Sequence, residues 1–95
     1  MKLFINCIHD IFKNDDYNKL IINKNTIKLH KSNDNAWIII NHNVYSLHKN
    51  DFELLNMFKN YYGTDATKYI KNTFNNIEKI FIMKKLENRL IGSIS

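Results

Sequence analysis

Along the chain the spacing of apolar residues changes period twice, near residue 19 and again near Asn50. In residues 2 to 13, Leu3, Phe4, Cys7, Ile8, Ile11 and Phe12 fall on one side of a 3.6-residue helix, and Lys2, Asn6, Asp10 and Lys13 fall on the other. This predicts a short amphipathic helix ended by NDDYN. Residues 19 to 48 follow a shorter period. KLIIN, TIKLHK, AWIII and VYSLHK are separated by KN, SNDN and NHN, residues that tolerate the left-handed backbone of tight turns. The pattern predicts an antiparallel meander of three or four strands. Ile27 and Leu29 alternate with Thr26, Lys28 and His30, and Tyr45 and Leu47 with Val44, Ser46 and His48, so these strands have one core face and one wet face. AWIII does not alternate and is predicted to be central.

The stretch VYSLHKNDFELLNMFKN carries the chain from strand into helix. Asn50 and Glu53 have the spacing of a capping box, and Leu54, Leu55, Phe58, Tyr61 and Tyr62 form an apolar stripe that ends at Gly63. A further helix begins at Thr64 or Asp65, with Ala66, Ile70, Phe74, Ile77 and Phe81 on its inner face. Beyond Phe81 the phase slips. Ile82, Met83, Leu86 and Leu90 project to the opposite side of a straight helix. Either residues 79–83 form a short strand, or the helix runs on and presents Ile82, Met83 and Leu86 as a stripe for a protein partner. A break with local repacking is the blander and favoured alternative. The expected fold class is α+β: an N-terminal helix, an antiparallel meander and two C-terminal helices in a single domain spanning residues 1–95. Its expected core holds Trp37, Ile39, Leu47, Leu55, Phe58, Ile70 and Phe74.

Composition narrows the function classes. No apolar run approaches the 18 residues of a membrane span, and the opening residues are too polar for a secretory signal, so a cytoplasmic protein without membrane contact is expected. Cys7 has no partner for an internal disulfide and sits at a core-like spacing. Histidines 9, 30, 42 and 48 lack metal-site spacing, and no phosphate loop or nucleophile motif is present. His30 and His48 are a conceivable acid–base pair on the wet face of the sheet, but solvated strand residues are the simpler reading. The chain is read as a non-enzyme with no metal, no cofactor and no small-molecule substrate.

The net charge is +5 in 95 residues, and 13 of the 14 basic residues are Lys. This favours an acidic partner, although the abundance of Asn, Ile and Lys also reflects AT-rich coding. Opposite the core face of the last helix lie Lys68, Lys71, Asn72, Asn75 and Lys79, followed by Lys84, Lys85 and Arg89. The first five share that face and the last three lie beyond the phase slip, and together they are a candidate surface for phosphates, base edges or a partner protein.

Two families come into view from these residues. Asp51, Phe52, Glu53, Leu54 and Leu55 after VYSLHKN resemble the start of the response-regulator winged-helix DNA-binding domain, and MKKLENRLIGSIS resembles the end of its recognition helix and the start of its wing. The whole layout of helix, meander and closing helices is similar to that of small anti-CRISPR proteins. That second resemblance implies a phage or mobile-element protein that inhibits a host nucleic-acid-handling complex by occupying a binding surface in the host cytoplasm. Its partner would be a host effector complex, met through protein, guide RNA or DNA, with a homodimer as a further option. The winged-helix resemblance implies a DNA-binding transcriptional regulator instead. A β-hairpin over residues 79–95 would speak for the wing, and a helix there for a protein partner.

Overall fold

The computed structural model of the protein describes residues 20 to 94. The helix expected over residues 2 to 13, with Cys7 and His9, lies outside the described residues. In chain order the elements are β1 (Leu20–Ile22), α1 (Lys24–Ile27), β2 (Trp37–Ile40), β3 (Asn43–Ser46), α2 (Phe52–Met57), α3 (Thr67–Thr73), α4 (Asn76–Leu86), a 3-10 turn (Glu87–Arg89) and β4 (Leu90–Ile94). The class is α+β, as the sequence implied.

The sheet has the order β1-β4-β3-β2. It is mixed: β4 runs parallel to β1, with Leu20 opposite Gly92, and antiparallel to β3, while β2 and β3 form an antiparallel hairpin with Ile40 opposite Asn43. The hairpin turn is Asn41–His42, and both residues have positive φ (51° and 71°), as a two-residue turn matched to strand twist requires. This part of the meander is as the sequence suggested. The TIKLHK strand is not. Asn23 caps α1, its Oδ1 accepting from Asn25 N–H at 2.7 Å, and Ile27 enters the core while Leu29 remains exposed. A strand would have buried both, so the single turn of helix is the arrangement that needs only one apolar anchor there.

The sheet buries both faces. On one, Ile38, Ile40, Tyr45 and Leu47 pack with Leu54, Leu55 and Phe58, and with Ala66, Ile70, Ile82 and Leu86 from the later helices. On the other, Ile22, Ile39 and Val44 surround Ile27, with Trp37, Ile91 and Ile94 at the margin. Two buried faces explain why AWIII does not alternate. Yet β2 ends the strand order instead of lying in its centre. Its outer edge is taken by the segment Gly63–Ala66, through Gly63 N–H to Trp37 O (2.7 Å), Ile39 N–H to Thr64 O (3.0 Å) and Ala66 N–H to Ile39 O (2.8 Å). Of the expected core, Ile39, Leu47, Leu55, Phe58 and Ile70 are buried, whereas Trp37 and Phe74 are half-buried.

The phase slip of the C-terminal region resolves as a break earlier than expected. Phe74 and Asn75 are both extended, with ψ of 146° and 176°, so the expected single helix is two helices, α3 and α4. Asn75 then starts α4 with a full capping box: its Oδ1 accepts from Glu78 N–H, and Glu78 Oε1 accepts from Asn75 N–H, each at 2.8 Å. Restarting the helix rotates its faces. Ile82 and Leu86 become core and Met83 half-buried, so they are no exposed partner stripe; Ile77 and Phe81, expected inside, are exposed. Residues 79–83 are helix, not strand. The region 79–95 contains no hairpin among its described residues; its one strand, β4, inserts between β1 and β3.

The insertion depends on Gly92. A Cβ there would collide with the carbonyl oxygen of Leu20 and lie 2.9 Å from its carbonyl carbon. Gly92→Ala is therefore expected to destabilise the fold by about 1–3 kcal/mol. In that variant hydrogen exchange should reveal β1 amides opening more readily than in the native chain while those of β3 change less, and unchanged β1 protection would contradict the close β1–β4 approach.

Candidate functional site

The functional possibilities of the chain rest on its helical layer and on the clefts at the edge of the sheet. Within the helical layer, aromatic rings fill the space between α2 and α3. Phe58, just after α2, is fully buried. Tyr69 of α3 meets three rings: Phe58 edge-on at 5.9 Å, Tyr61 stacked at 4.4 Å and Phe74 edge-on at 5.6 Å between centroids. Its hydroxyl donates to Met57 O at 2.9 Å, and the Tyr62 hydroxyl donates to Leu55 O at 2.7 Å. Burial raises the Tyr62 pKa above its usual value. The two hydroxyl bonds fasten the segment after α2, and α3, to the backbone of α2.

A second fastening joins α2 to the end of α4. Arg89 holds Asp51 in a two-pronged ion pair, Nε to Oδ2 at 2.6 Å and Nη2 to Oδ1 at 2.7 Å, and Lys85 pairs with Glu53. The Asp51 Oδ2 also accepts from His48 N–H at 2.9 Å. The Arg89 contact, reinforced by that backbone bond, lowers the Asp51 pKa against the opposing effect of burial. Asp51, not Asn50, is thus the residue at the start of α2, and the expected Asn50–Glu53 capping box is absent: Asn50 N–H bonds His48 Nδ1 and Glu53 turns to Lys85.

These pairs sort the basic residues expected on one face. Lys84 lies 3.9 Å from Glu87, and Lys85 and Arg89 are committed to Glu53 and Asp51. Asn75 is spent on the α4 cap and Lys79 is half-buried on α4 beyond the break. Lys68, Lys71 and Asn72 remain exposed on α3. Within the expected face of Lys68, Lys71, Asn72, Asn75 and Lys79, the break at Phe74–Asn75 separates the α3 residues from Lys79 on α4.

The fold groups Lys68 and Lys71 elsewhere, with residues the sequence reading did not connect to them. One cleft of about 510 Å³ is lined by Lys24, Lys28 and Lys31 with Ile39, Gly63, Thr64 and Asp65. Another of about 510 Å³ is lined by Lys68 and Lys71 with Asn41, His42, Asp65 and Thr67. The i, i+4 spacing of Lys24 and Lys28 was the one available signal, and it was hidden by reading Lys24 as part of a turn and Lys28 as part of a strand. The histidines do not form a pair. His30 stacks on Trp37 at 3.5 Å and its Nδ1 bonds Asn35 O, whereas His48 faces the cleft beside Asp51 and Arg89. Among the described residues, no group of three or more His, Cys, Asp or Glu is arranged to hold a metal ion, and no helix is long and apolar enough to cross a membrane.

Comparison with solved structures supplies the relationship that the sequence did not. Cytochrome b5 of Ostreococcus tauri virus 2 superposes with a TM-score of 0.57 at 19% identity, over 77% of this chain and 94% of that one. The protein shares the cytochrome b5 fold. Ectothiorhodospira vacuolata cytochrome b558, described as a prokaryotic homologue of cytochrome b5, matches with a TM-score of 0.58 at 20% identity, over 79% of this chain and 98% of that one. No protein-family model matches the chain, and neither does any curated protein sequence. The b5 fold overturns both resemblances drawn from the sequence, to anti-CRISPR proteins and to winged-helix domains. With them go the inhibitor of a host nucleic-acid-handling complex, the effector complex with its guide RNA or DNA as partner, and the DNA-binding regulator.

The Asp51–Arg89 pair gives a pH-dependent expectation. A carboxylate whose folded pKa is depressed stabilises the fold at and above neutrality, and the contribution fades as pH falls below the ordinary value of 3.8 towards the folded pKa. Asp51→Asn should cost about 1–3 kcal/mol at pH 7, with a smaller difference from the native chain at pH 3. Urea unfolding at the two pH values measures this, and a difference that grows on acidification would contradict the assignment.

Proposed function

We propose that this chain is a small, non-enzymatic binding module on the cytochrome b5 fold, one that works without haem. A cytoplasmic location and a single domain over residues 1–95 belong to the same reading. The observation that carries it is the closed helical layer: Tyr69 is surrounded by Phe58, Tyr61 and Phe74, and its hydroxyl is tied to Met57 O.

Haem is raised by the cytochrome names of the structural neighbours. Among the described residues, those of α2, α3 and α4 do not fit it. Haem iron is ordinarily held by His, Cys, Met or Tyr at the wall of a slot that admits the flat macrocycle. From Lys49 to Ser95 the sequence contains no His and no Cys, so α2, α3 and α4 offer no imidazole or thiolate. The hydroxyls of Tyr62 and Tyr69 are committed to backbone carbonyls, and a macrocycle entering between α2 and α3 would have to expel the Tyr69 ring from its three aromatic neighbours. Met57 and Met83 are packed against the same core. The clefts beside Asp65 are instead walled by lysines.

Titration with hemin tests the reading. No sharpened, protein-dependent Soret band and no rise in unfolding stability are expected. A ligand at 100 times its Kd would add about 2.7 kcal/mol, which denaturant unfolding resolves easily. One-to-one uptake of hemin with such a stabilisation would overturn the haem-free module.

A further inference from the structure

The two lysine-lined clefts share a wall at Asp65, and the fold fixes their relation through backbone bonds. On one side, Ile27 anchors α1 in the core, which sets Lys24 and Lys28 one turn apart above the cleft, with Lys31 following. The floor there is Gly63 (φ +77°), where a Cβ would come within 3.0 Å of Lys31 Cγ and 3.1 Å of Ile27 O. On the other side, Thr67 is pinned to the hairpin, its Oγ1 accepting from Asn41 N–H at 2.9 Å, and this sets Lys68 and Lys71 beside His42. Between the sides runs Gly63–Ala66, bonded to the edge of β2. Asp65 uses Oδ1 to accept from Thr67 N–H at 2.8 Å. Five lysines thus line the two clefts that meet at one aspartate, a local excess of four positive charges in a chain of net charge +5. Among the described residues none of the five is in an ion pair, in contrast to Lys84, Lys85 and Arg89.

We propose that this double cleft is the binding surface of the module and that its partner is an acidic protein surface presenting two groups of carboxylates, one for each cleft. The proposal deepens the reading of the chain as a binding module and rests on it. Lysine ammonium groups on flexible stems suit carboxylates that vary in position, unlike the fixed fork of arginine. A nucleic acid is the poorer fit. Among the described residues no Phe, Tyr or Trp lines either cleft to stack a base, His42 being the one ring there, and the Asp65 carboxylate interrupts the path that a continuous phosphate backbone would follow. An acidic polypeptide can straddle Asp65, because its charges are spaced and its backbone is neutral. Opposite charge on the two surfaces favours encounter and fixes orientation.

The test uses poly-L-glutamate as the probe, with a DNA duplex of similar length in parallel, against the full chain by isothermal titration at low and at physiological salt. The native protein is expected to bind poly-L-glutamate, more weakly at higher salt. The pair Lys28→Glu and Lys68→Glu, one reversal in each cleft, is expected to weaken binding about tenfold or more. Lys59→Glu, on the exposed turn after α2, should change it by less than about twofold. Circular dichroism establishes that each variant is folded. Equal loss with Lys59→Glu, no binding of poly-L-glutamate, or tighter binding of duplex DNA that is lost in the cleft variant would each overturn the acidic-protein surface. Hemin uptake, measured separately, would instead overturn the module reading beneath it.

Discussion

The constraint on which the rest of the structure depends is the place of β4. The last strand of the chain lies inside the sheet, parallel to β1 and antiparallel to β3, and Gly92 permits its close approach to Leu20. Until residues 90–94 arrive, β1 has no partner among the described strands. The sheet therefore closes over a sequence separation of about seventy residues, between Leu20 and Gly92, and everything between must be folded back across it. Such non-local pairing makes loop closure the costly step in forming the fold. The Asp51–Arg89 pair acts at the same junction. It ties the start of α2 to the turn that feeds β4, and so aims the last strand at its slot.

How much of this was legible in the sequence depends on whether the signal was local. The β2–β3 hairpin was, because NHN must turn and the flanking apolar residues agree. The α2 stripe was, through Leu54, Leu55 and Phe58. β4 was not, because LIGSI has no partner nearby in sequence and its glycine reads as a breaker until Leu20 is set beside it. The α3–α4 break was written in Asn75 and Glu78, whose N-x-x-E spacing is as good a capping signal as Asn50 and Glu53. The continuous apolar pattern of residues 66 to 81 outweighed it. At Asn50 the same spacing misled, since Arg89 and Lys85, remote in sequence, draw Asp51 and Glu53 into ion pairs. The candidate surface was legible only in part. Lys68 and Lys71 were singled out, but their companions Lys24, Lys28 and Lys31 are about forty residues away and were assigned to a turn and a strand.

The b5 fold and the contents of its helical layer carry different information. Backbone arrangement survives at 19–20% identity because the apolar pattern that holds it can be met by many residues. Between α2 and α3 of this chain, Tyr69 packs among Phe58, Tyr61 and Phe74 and donates its hydroxyl to Met57 O, a side chain that fills volume and closes a hydrogen bond at once. The helices are then held by the chain itself.

The pairing of Gly63–Ala66 with the outer edge of β2 has a consequence beyond positioning Asp65. An exposed strand edge is a row of unused donors and acceptors against which a second molecule can add its own strand. In this protein the Ile39 amide and the Trp37 and Ile39 carbonyls on that edge are already bonded to a loop. WIII is an aggregation-prone kind of segment, short, apolar and rich in β-branched residues. Its open side is sealed by the same loop that separates the two lysine clefts, so a substitution that loosens residues 63–66 would open that edge to strand-to-strand association.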